Sequence, residues 1–537
     1  MTGEDRFAGT APEGAVPDET PDVYGAYPRL TDEQITFLAG HGTRHPVGPG
    51  QVLIREGDQC TDFYVILSGS VAITEHHGTP DERLLRVHGP GRFLGELGLL
   101  QGQLAFYTAH AREAGEVLAL PVDRLRALMA RDPCLGDLVL RAYLGRRAQL
   151  VGAGAGFRIL GSRYSPDTRR LREFAARNRL PHRWIDLEAD QEAEALLRRV
   201  AVSPEDTPIV IWREHQVLRN PGNAELAQLI GLTPPVPDRS QNDLPVVGCG
   251  PAGIAAVYGS SDGLSTTVVD AVATGGQAGT SSLIENYFGF PAGIPGSELA
   301  ERRVLQARKF GTQVRIPAEA TSLEPDDGHY RVTFADGSET LCRTVVLATG
   351  ARYRRLKVPG IERPPRVSVA VDTEIREVRG DDVLRSNVVE QTRTVEQTRT
   401  GERRTVDVRA LFVFIGAKPC TDRLTGVLAL DDRGFVLTGD EAEARSAAGV
   451  WQGQSRGCLS LETTLPGVFA AGDVRSGSVK RVASAAGEGA MAIHHVHDHL
   501  DHTTADPTRP NGDIQAPSGR SAAPGGDPHA SATHDRR

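Results

Sequence analysis

Three glycines and one aspartate carry the strongest chemical signal in this sequence. Gly248, Gly250 and Gly253 fill the pattern G-x-G-x-x-G, with Pro251 and Ala252 between the last two. A short apolar run, Val246–Val247, leads into them; an Ala-rich segment follows, and a second run, Thr267–Val269, ends on Asp270. In such a pattern the first glycine permits a tight turn, the second lets backbone approach a pyrophosphate, and the third lets the following helix pack on its strand. The helix N-terminus then offers unpaired N–H groups and a positive dipole end to phosphate. Asp270 stands 22 residues past Gly248, where a carboxylate can accept from a ribose hydroxyl. The pattern predicts a βαβ unit for an adenine dinucleotide, with Cys249 as a small residue tolerated inside the loop.

Composition bounds what surrounds this unit. A chain of 537 residues holds three to four domains at roughly 100–200 residues each. The net charge of −9 carries no general nucleic-acid signature. No apolar run is long enough for a membrane span, and the acidic, Pro/Gly-rich start MTGEDRFAGTAPEG is unlike a secretory leader. The six cysteines, at 60, 134, 249, 342, 420 and 458, form no C-x-x-C, so local spacing gives neither a zinc site nor a dithiol. A cytoplasmic protein with reduced thiols is expected. Histidines cluster at 494, 495, 497, 499 and 502. His495 and His499 have i, i+4 spacing, but the cluster reads as the exposed face of a fraying last helix, and no metal is assigned.

In chain order, 1–25 reads as disordered. From 26 to 150 a helical start, Thr31–Leu38, precedes short strand-like runs at Gln51–Ile54, Asp62–Leu67, Ser70–Thr74, Leu84–Val87 and Glu116–Leu120. Glycines punctuate them, which predicts a small β-roll, closed by helices Val122–Arg131 and Cys134–Leu150. Segment 26–150 resembles the cyclic-nucleotide-binding domain family through VGPGQVLIREGDQCTDFYVILSGSVAI and RFLGELGLL. The resemblance puts Gly95 and Glu96 in the phosphate cassette, with Glu96 on the ribose hydroxyl. Leu104–Ala105 stand where the family's phosphate-binding Arg is expected, and an apolar side chain cannot neutralise a phosphate.

After a linker at 151–156, segment 157–232 alternates strands Arg158–Leu160, His182–Asp186 and Ile209–Trp212 with helices Asp167–Asn178, Asp190–Val200 and Asn223–Leu229. It resembles a thioredoxin or glutaredoxin-like module, with Thr207-Pro208 at the family's cis-proline site. Ser162 and Ser165 occupy both redox-cysteine positions, so thiol exchange is excluded there, and Ser165 reads as a helix N-cap.

A second linker, Pro234–Asp243, leads into the glycine unit. Beyond it come GGQAGTSSLIENYFGFP, a helical run Gly296–Phe310, a meander-like stretch Val314–Phe334, TVVLATGARYRRLKVPGIE, buried runs at Ala410–Gly416 and Gly434–Leu437, and GVFAAGDV. Together these resemble the low-molecular-weight thioredoxin-reductase type of flavoprotein, an FAD-dependent pyridine nucleotide-disulfide oxidoreductase. The resemblance implies FAD, bound through Gly248, Gly250, Pro251, Ala252, Gly253 and Asp270. It adds Gly276, Gln277 and Asn286 near the flavin, and Ala348, Thr349 and Gly350 closing the half-domain. Gly472 and Asp473 follow at the ribityl-pyrophosphate, and Val482 and Ala483 as backbone contacts.

Such a reductase inserts an NADPH domain with its own G-x-G-x-x-G, and no second match occurs here. A βαβ nucleotide unit takes ~30 residues or more, yet after 362 the chain passes directly to PPRVSVAVDTEIREVRGDD. A duplicated hexapeptide, VEQTRT at 389–394 and 395–400, reads as an insertion in a hairpin loop. The helix after the glycines is one residue short of the family's usual length, and Pro245 is unusual so near a central strand. The expected chain is therefore multidomain: a β-roll at 26–150, an α/β thioredoxin-like domain at 157–232, and a Rossmann-like FAD domain of the two-dinucleotide type in segments 243–362 and 410–500. A truncated NADPH domain lies at 363–409 and a disordered tail at 503–537. FAD is the expected cofactor, while NADPH and cyclic nucleotide are placed in question. The resemblance further implies a small-molecule or protein-disulfide electron acceptor and a homodimer. The alternatives left open are a non-catalytic regulatory or binding protein and a decayed homologue.

Overall fold

The computed structural model describes residues 19–22, 25–95, 104–152, 156–190, 193–213, 216–232, 239–354, 373–380, 384–391, 403–407, 415–448, 450–451 and 456–504. The first unit opens with the helix Asp32–Ala39. Thr31 and Gln34 cap it reciprocally: the Gln34 N–H donates to Thr31 Oγ1 at 3.2 Å and the Thr31 N–H to Gln34 Oε1 at 2.9 Å. Two four-stranded antiparallel sheets follow. One runs Thr43–Val47, Gly115–Pro121, Asp62–Ser68, Phe93–Leu94; the other Val52–Ile54, Thr108–Ala111, Val71–Glu75, Arg83–His88. Phe63, Val65, Phe93 and Leu118 of the first sheet pack against the closing helices Val122–Arg131 and Pro133–Gly152, while Ile66 and Leu94 meet Ile54, Val71 and Ile73 of the second sheet. Thr43–Val47 is almost wholly exposed and carries Pro46, while Phe93–Leu94 is two residues long. Neither gives an alternating pattern to read.

Part of the presumed disordered lead is structured. The Thr20 N–H donates to the Val87 carbonyl at 2.9 Å, and Glu19 pairs with the buried Arg92 at 2.8 Å. The presumed linker at 151–156 begins inside the helix that ends at Gly152.

The middle unit is a mixed sheet in the order His182–Asp186, Phe157–Gly161, Ile209–Trp212, Gln216–Arg219. The first pair is parallel and the others antiparallel. Helices Pro166–Arg177, Ala193–Arg199 and Asn223–Leu229 cover it. Ser165 caps the first, accepting from the Thr168 N–H at 3.3 Å, as its position implies. The Thr207-Pro208 bond is cis.

The third unit is built on a parallel sheet in the order Gln313–Arg315, Thr266–Val269, Leu244–Val247, Val345–Leu347, Val468–Ala470. All five strands are short, and the central ones are apolar on both faces because helices or a second sheet cover each face. Gln313–Arg315 thus joins this sheet rather than the expected meander, which consists of Ala320–Asp326, His329–Phe334 and Glu339–Cys342. Arg239–Asn242, placed in a linker by its composition, pairs with the last of these strands. Pro245 is tolerated because pairing with Val345–Leu347 starts at Val246, so that side of the ladder does not call on its missing N–H. The segment after the glycines breaks into two short helices, Pro251–Ala255 and Tyr258–Ser261.

Thr373–Gly380, Leu384–Gln391 and Arg403–Asp407 make an antiparallel three-stranded sheet. Val389–Gln391, the first three residues of the first VEQTRT copy, lie in the middle strand of that sheet; the other nine residues of the repeat lie outside the described residues. Ala351–Tyr353 pairs with Ala417–Pro419. The expected strand Ala410–Gly416 also lies outside them, except Ile415 and Gly416, which are not in a strand. Gly434–Leu437 contributes isolated bridges through the buried Val436. The last helix, Val482–Thr504, continues past the expected end of the ordered chain.

Candidate functional site

Parallel strands deliver their following loops to one edge of a sheet, and ligands of such folds bind there. Four of these loops carry the residues singled out above: Gly248 follows the central strand, Asp270 its neighbour, Ala348–Gly350 the strand on the other side, and Gly472–Asp473 the edge strand.

The glycines are there because nothing larger fits. Gly248 has φ +112°, and a Cβ on it would lie 2.2 Å from the Ala348 carbonyl oxygen. A Cβ on Gly253 would lie 1.8 Å from the Gly248 carbonyl oxygen. Gly276, at φ +54°, approaches Gly250 so closely that its Cβ would sit 2.9 Å from the Gly250 Cα. Gly472, at φ +77°, is pressed against Ala252, where a Cβ would come within 2.9 Å of the alanine methyl. Four stretches far apart in sequence are thus packed closely around one turn. Gly250 differs, because a Cβ there meets only the Gly276 Cα, at 3.9 Å. Its open side is a cradle next to the free N–H groups of the helix that Pro251 begins.

Hydrogen bonds fix the edge. The Asp270 carboxylate accepts from the Cys249 N–H at 3.0 Å through one oxygen, and from the Val272 and Ala273 N–H groups at 2.9 and 3.1 Å through the other. It braces the glycine turn, and the oxygen that accepts from Cys249 keeps one lone pair for a further donor. The Gly275 N–H donates to the Cys249 carbonyl at 2.7 Å, and the Gln277 amide is bonded to the Ala351 carbonyl. Thr349 Oγ1 donates to the Cys420 carbonyl at 3.0 Å. Burial pushes the half-buried Asp473 carboxyl up from its usual range, and the Lys480 ammonium, bonded to the Asp473 carbonyl at 2.9 Å, pulls the other way. Asn286 stands on an exposed loop, and Val482 and Ala483 open the last helix.

One residue of this edge had no sequence signal of its own. Glu488 accepts from the Gly472 N–H at 2.7 Å and pairs with Arg475 at 2.7 Å, so it holds the Gly472–Asp473 turn. Its neighbour Gly489 was the available hint: a Cβ there would be 2.1 Å from the Ala252 carbonyl, so only glycine lets this helix lie against the glycine-turn helix.

At the barrel, Gly95 ends the strand Phe93–Leu94 with φ +97°, whereas Glu96 lies outside the described residues. The stretch lacking the expected Arg turns toward the middle unit. Leu104 donates its N–H to the Ile230 carbonyl at 3.4 Å, and Phe106 packs with Trp212 in that unit's core. Ser162 is bonded to Glu188. Of the late histidines, His494 and His502 are exposed as expected, whereas His495 and His497 are half-buried and His499 is buried. His495 meets Ser460 Oγ at 2.9 Å and the buried His499 meets Arg456 at 2.8 Å, so each has its own partner. Among the described residues no helix is long and apolar enough to cross a membrane.

All six cysteines are free thiols, and burial sorts their reactivity. It pushes the Cys342 and Cys458 thiols up to about 12 and Cys249 further, with the Asp270 charge adding to the last. The thiolate is the reactive form. Titration with a thiol reagent at pH 8 is therefore expected to label the exposed Cys134 within minutes and to reach Cys249 and Cys342 only on unfolding. Rapid labelling of all six would contradict this packing.

Two stretches of the chain match known families. Residues 44–132 match the cyclic nucleotide-binding domain family, and residues 242–378 match pyridine nucleotide-disulphide oxidoreductases. Thioredoxin reductase of Treponema pallidum (strain Nichols) is 27% identical over 326 residues, covering 48% of this chain and 97% of that protein. An alkyl hydroperoxide reductase component of Xanthomonas campestris pv. phaseoli is 28% identical over 330 residues, covering 50% of this chain and 58% of that one. Among solved structures, Lactococcus lactis thioredoxin reductase is 20% identical with a TM-score of 0.40, covering 48% of this chain and 99% of that chain. The chain therefore joins an N-terminal domain of the cyclic nucleotide-binding family to a pyridine nucleotide-disulphide oxidoreductase domain similar, over about half the chain, to thioredoxin reductases.

Proposed function

We propose that segments 243–354 and 415–500 form an FAD site of the thioredoxin-reductase type, separated from the NADPH site that normally feeds it. The observation that carries the first half is the cradle at Gly250, the one glycine of the turn whose missing side chain leaves open space rather than room for other backbone. Backbone N–H groups at the start of the Pro251 helix would hold the pyrophosphate. Asp270 would accept from the adenosine ribose with the one lone pair it does not spend on the turn. Asp473, half-buried beside Lys480, would accept from the flavin side chain, and Glu488 keeps its turn in place. Gln277, Asn286, Val482 and Ala483 are the residues nearest the ring by resemblance. When bound, the flavin supplies two-electron redox chemistry, and the protein supplies position and electrostatics. No catalytic residue is assigned. By likeness to its relatives the acceptor would be a disulfide, of a protein or a small molecule.

The second half rests on length. The alignment with the Treponema enzyme runs over 326 positions, whereas 48% of the 537-residue chain is about 258, so about 68 positions of that enzyme have no counterpart here. That is more than one βαβ unit, at ~30 residues. The middle unit, with serines at both redox positions, serves as a scaffold. The barrel's cassette end is spent on contact with it through Leu104 and Phe106, which supports a barrel that no longer answers to cyclic nucleotides.

Reconstitution with FAD tests this directly. The purified chain is expected to take up one flavin with the usual visible bands. Gly250→Val should keep the fold, since φ −77° and an extended ψ suit valine, while filling the cradle and weakening FAD at least about a hundredfold, ~2.8 kcal/mol. A chain that stays colourless with excess FAD would overturn the reading and favour a purely structural or regulatory protein.

A further inference from the structure

The turn between strands Val71–Glu75 and Arg83–His88 brings His77 and Glu82 against His110 of the strand Thr108–Ala111. One ligand atom from each side chain lies within 4.8 Å of the other two. The two imidazoles stack with centroids 4.2 Å apart and planes 23° from parallel. His77 Nδ1 is 3.2 Å from Glu82 Oε1, and the other Glu82 oxygen accepts from the Gly78 N–H at 2.7 Å. His110 Nδ1 is buried and has no hydrogen-bond partner among the described residues.

We propose that His77, Glu82 and His110 form a binding site for a divalent transition metal, Zn2+ by its ligand chemistry. Two imidazoles and one carboxylate are a common ligand set for tetrahedral zinc, leaving a fourth position for water. Ligand atoms ~2.0–2.1 Å from such an ion are about 3.3 Å from one another, and the His77–Glu82 pair already stands at 3.2 Å. Rotation of the imidazoles about their side-chain bonds brings the third ligand in. The Gly78 N–H fixes the second Glu82 oxygen, the kind of outer contact that orients a metal ligand. The ion also gives His110 Nδ1 the partner that a buried polar atom ordinarily has.

The site's position gives it a consequence. The same turn carries Asp81, paired with Arg199 of the middle unit at 3.0 Å, and His76, whose ring meets Arg158 at 3.2 Å. Glu75, just before it, accepts from the Gly156 N–H at 3.0 Å. A metal that stiffens the turn stiffens the seam between barrel and middle unit.

The full-length protein, freed of metal by a chelator, is titrated with Co2+ followed in the visible region and with Zn2+ by calorimetry. One saturable equivalent is expected on this site. His77→Ala and Glu82→Gln should each weaken it at least about tenfold, while His494→Ala, on the exposed face of the last helix, should leave it unchanged. Both ligand variants lie on a surface turn, and their circular dichroism verifies folding. Zn2+-dependent slowing of amide exchange at residues 76–82 gives a reading that needs no variant. Absence of saturable binding up to about 1 mM, or an affinity that survives both ligand substitutions, overturns the proposal. So does an affinity lost on His494→Ala, which would place the metal on the late histidines.

Discussion

Anaerobic NADPH is expected to leave the flavin of the reconstituted protein oxidised, while dithionite bleaches it. The reason is length before it is chemistry. A pyridine nucleotide needs its own βαβ unit, with a glycine turn at the mouth of a parallel strand. Between Arg354, which leaves the parallel sheet's neighbourhood, and Thr373, which starts the three-stranded sheet, only residues 355–372 intervene. A strand, crossover helix and second strand need ~30 residues. The three described strands beyond are antiparallel to one another, and their sheet offers no parallel crossover. At about 1 mM NADPH even a site worth only −4 kcal/mol would be half filled, so unchanged flavin bands at that concentration are a strong negative. The effect is close to all-or-none. A working reductase would turn over its flavin in seconds, and this chain should show no NADPH-dependent bleaching over an hour. Rapid bleaching would mean that another part of the chain presents the nicotinamide, and the reading of a severed donor site would fall. Reduction by dithionite alone keeps the two halves of the proposal separable, because it tests flavin binding without calling on the donor site.

The glycine turn was legible because its constraints are local. Gly248 and Gly253 are demanded by backbone that lies within six residues of each other or on the next strand, so a fixed spacing records them. The convergence of Gly276, Ala348 and Gly472 on that turn is not local. Sequence motifs name these residues, but only the parallel strand order puts their loops on one edge. Glu488 shows the opposite case: its role depends on a helix that returns from the far end of the chain, and a glutamate in a helix carries no mark of what it will meet. The segments misread were those whose composition spoke louder than their partners. Arg239–Asn242 is polar and follows a Pro-rich run, yet an open edge of the neighbouring sheet recruits it. Residues 19–22 are polar, yet Thr20 and Glu19 find Val87 and Arg92. The His77–Glu82–His110 cluster escaped for the same reason as Glu488, since its members come from a turn and a separate strand that only the closed roll brings together.

Glu301→Ala is expected to destabilise the protein by about 3–5 kcal/mol, the usual cost of breaking a buried ion pair from one side. Glu301 is 4% exposed and sits on the helix Gly296–Lys309 of the third unit. Two other units converge on it. Tyr143, fully buried on the barrel's last helix, donates its hydroxyl to one carboxylate oxygen at 2.6 Å, and Arg147, one turn on, lies 3.3 Å from the same oxygen. Arg179 of the middle unit binds the other oxygen. Arg147 also donates to the Asn178 carbonyl at 3.0 Å, and Asn178 in turn reaches the Val272 carbonyl at 2.9 Å, beside the candidate flavin edge. Burial raises the Tyr143 hydroxyl well above its ordinary value, so it stays a donor across the working pH range. Removing the carboxylate takes the countercharge away from Arg147, itself 3% exposed. At about 2–4 °C per kcal/mol for domains of this size, the melting temperature should fall by roughly 10 °C. The more telling readout is cooperativity. With Glu301 present, the barrel and the flavin unit should unfold in one transition; in the variant they should separate into two. Arg147→Met in the Glu301→Ala background should recover part of the loss, because an apolar side chain of similar length removes the buried charge. A Glu301→Ala protein that melts as one unit within about 1 kcal/mol of the parent would mean that the three units are held together elsewhere, and that barrel and flavin site do not communicate through this carboxylate.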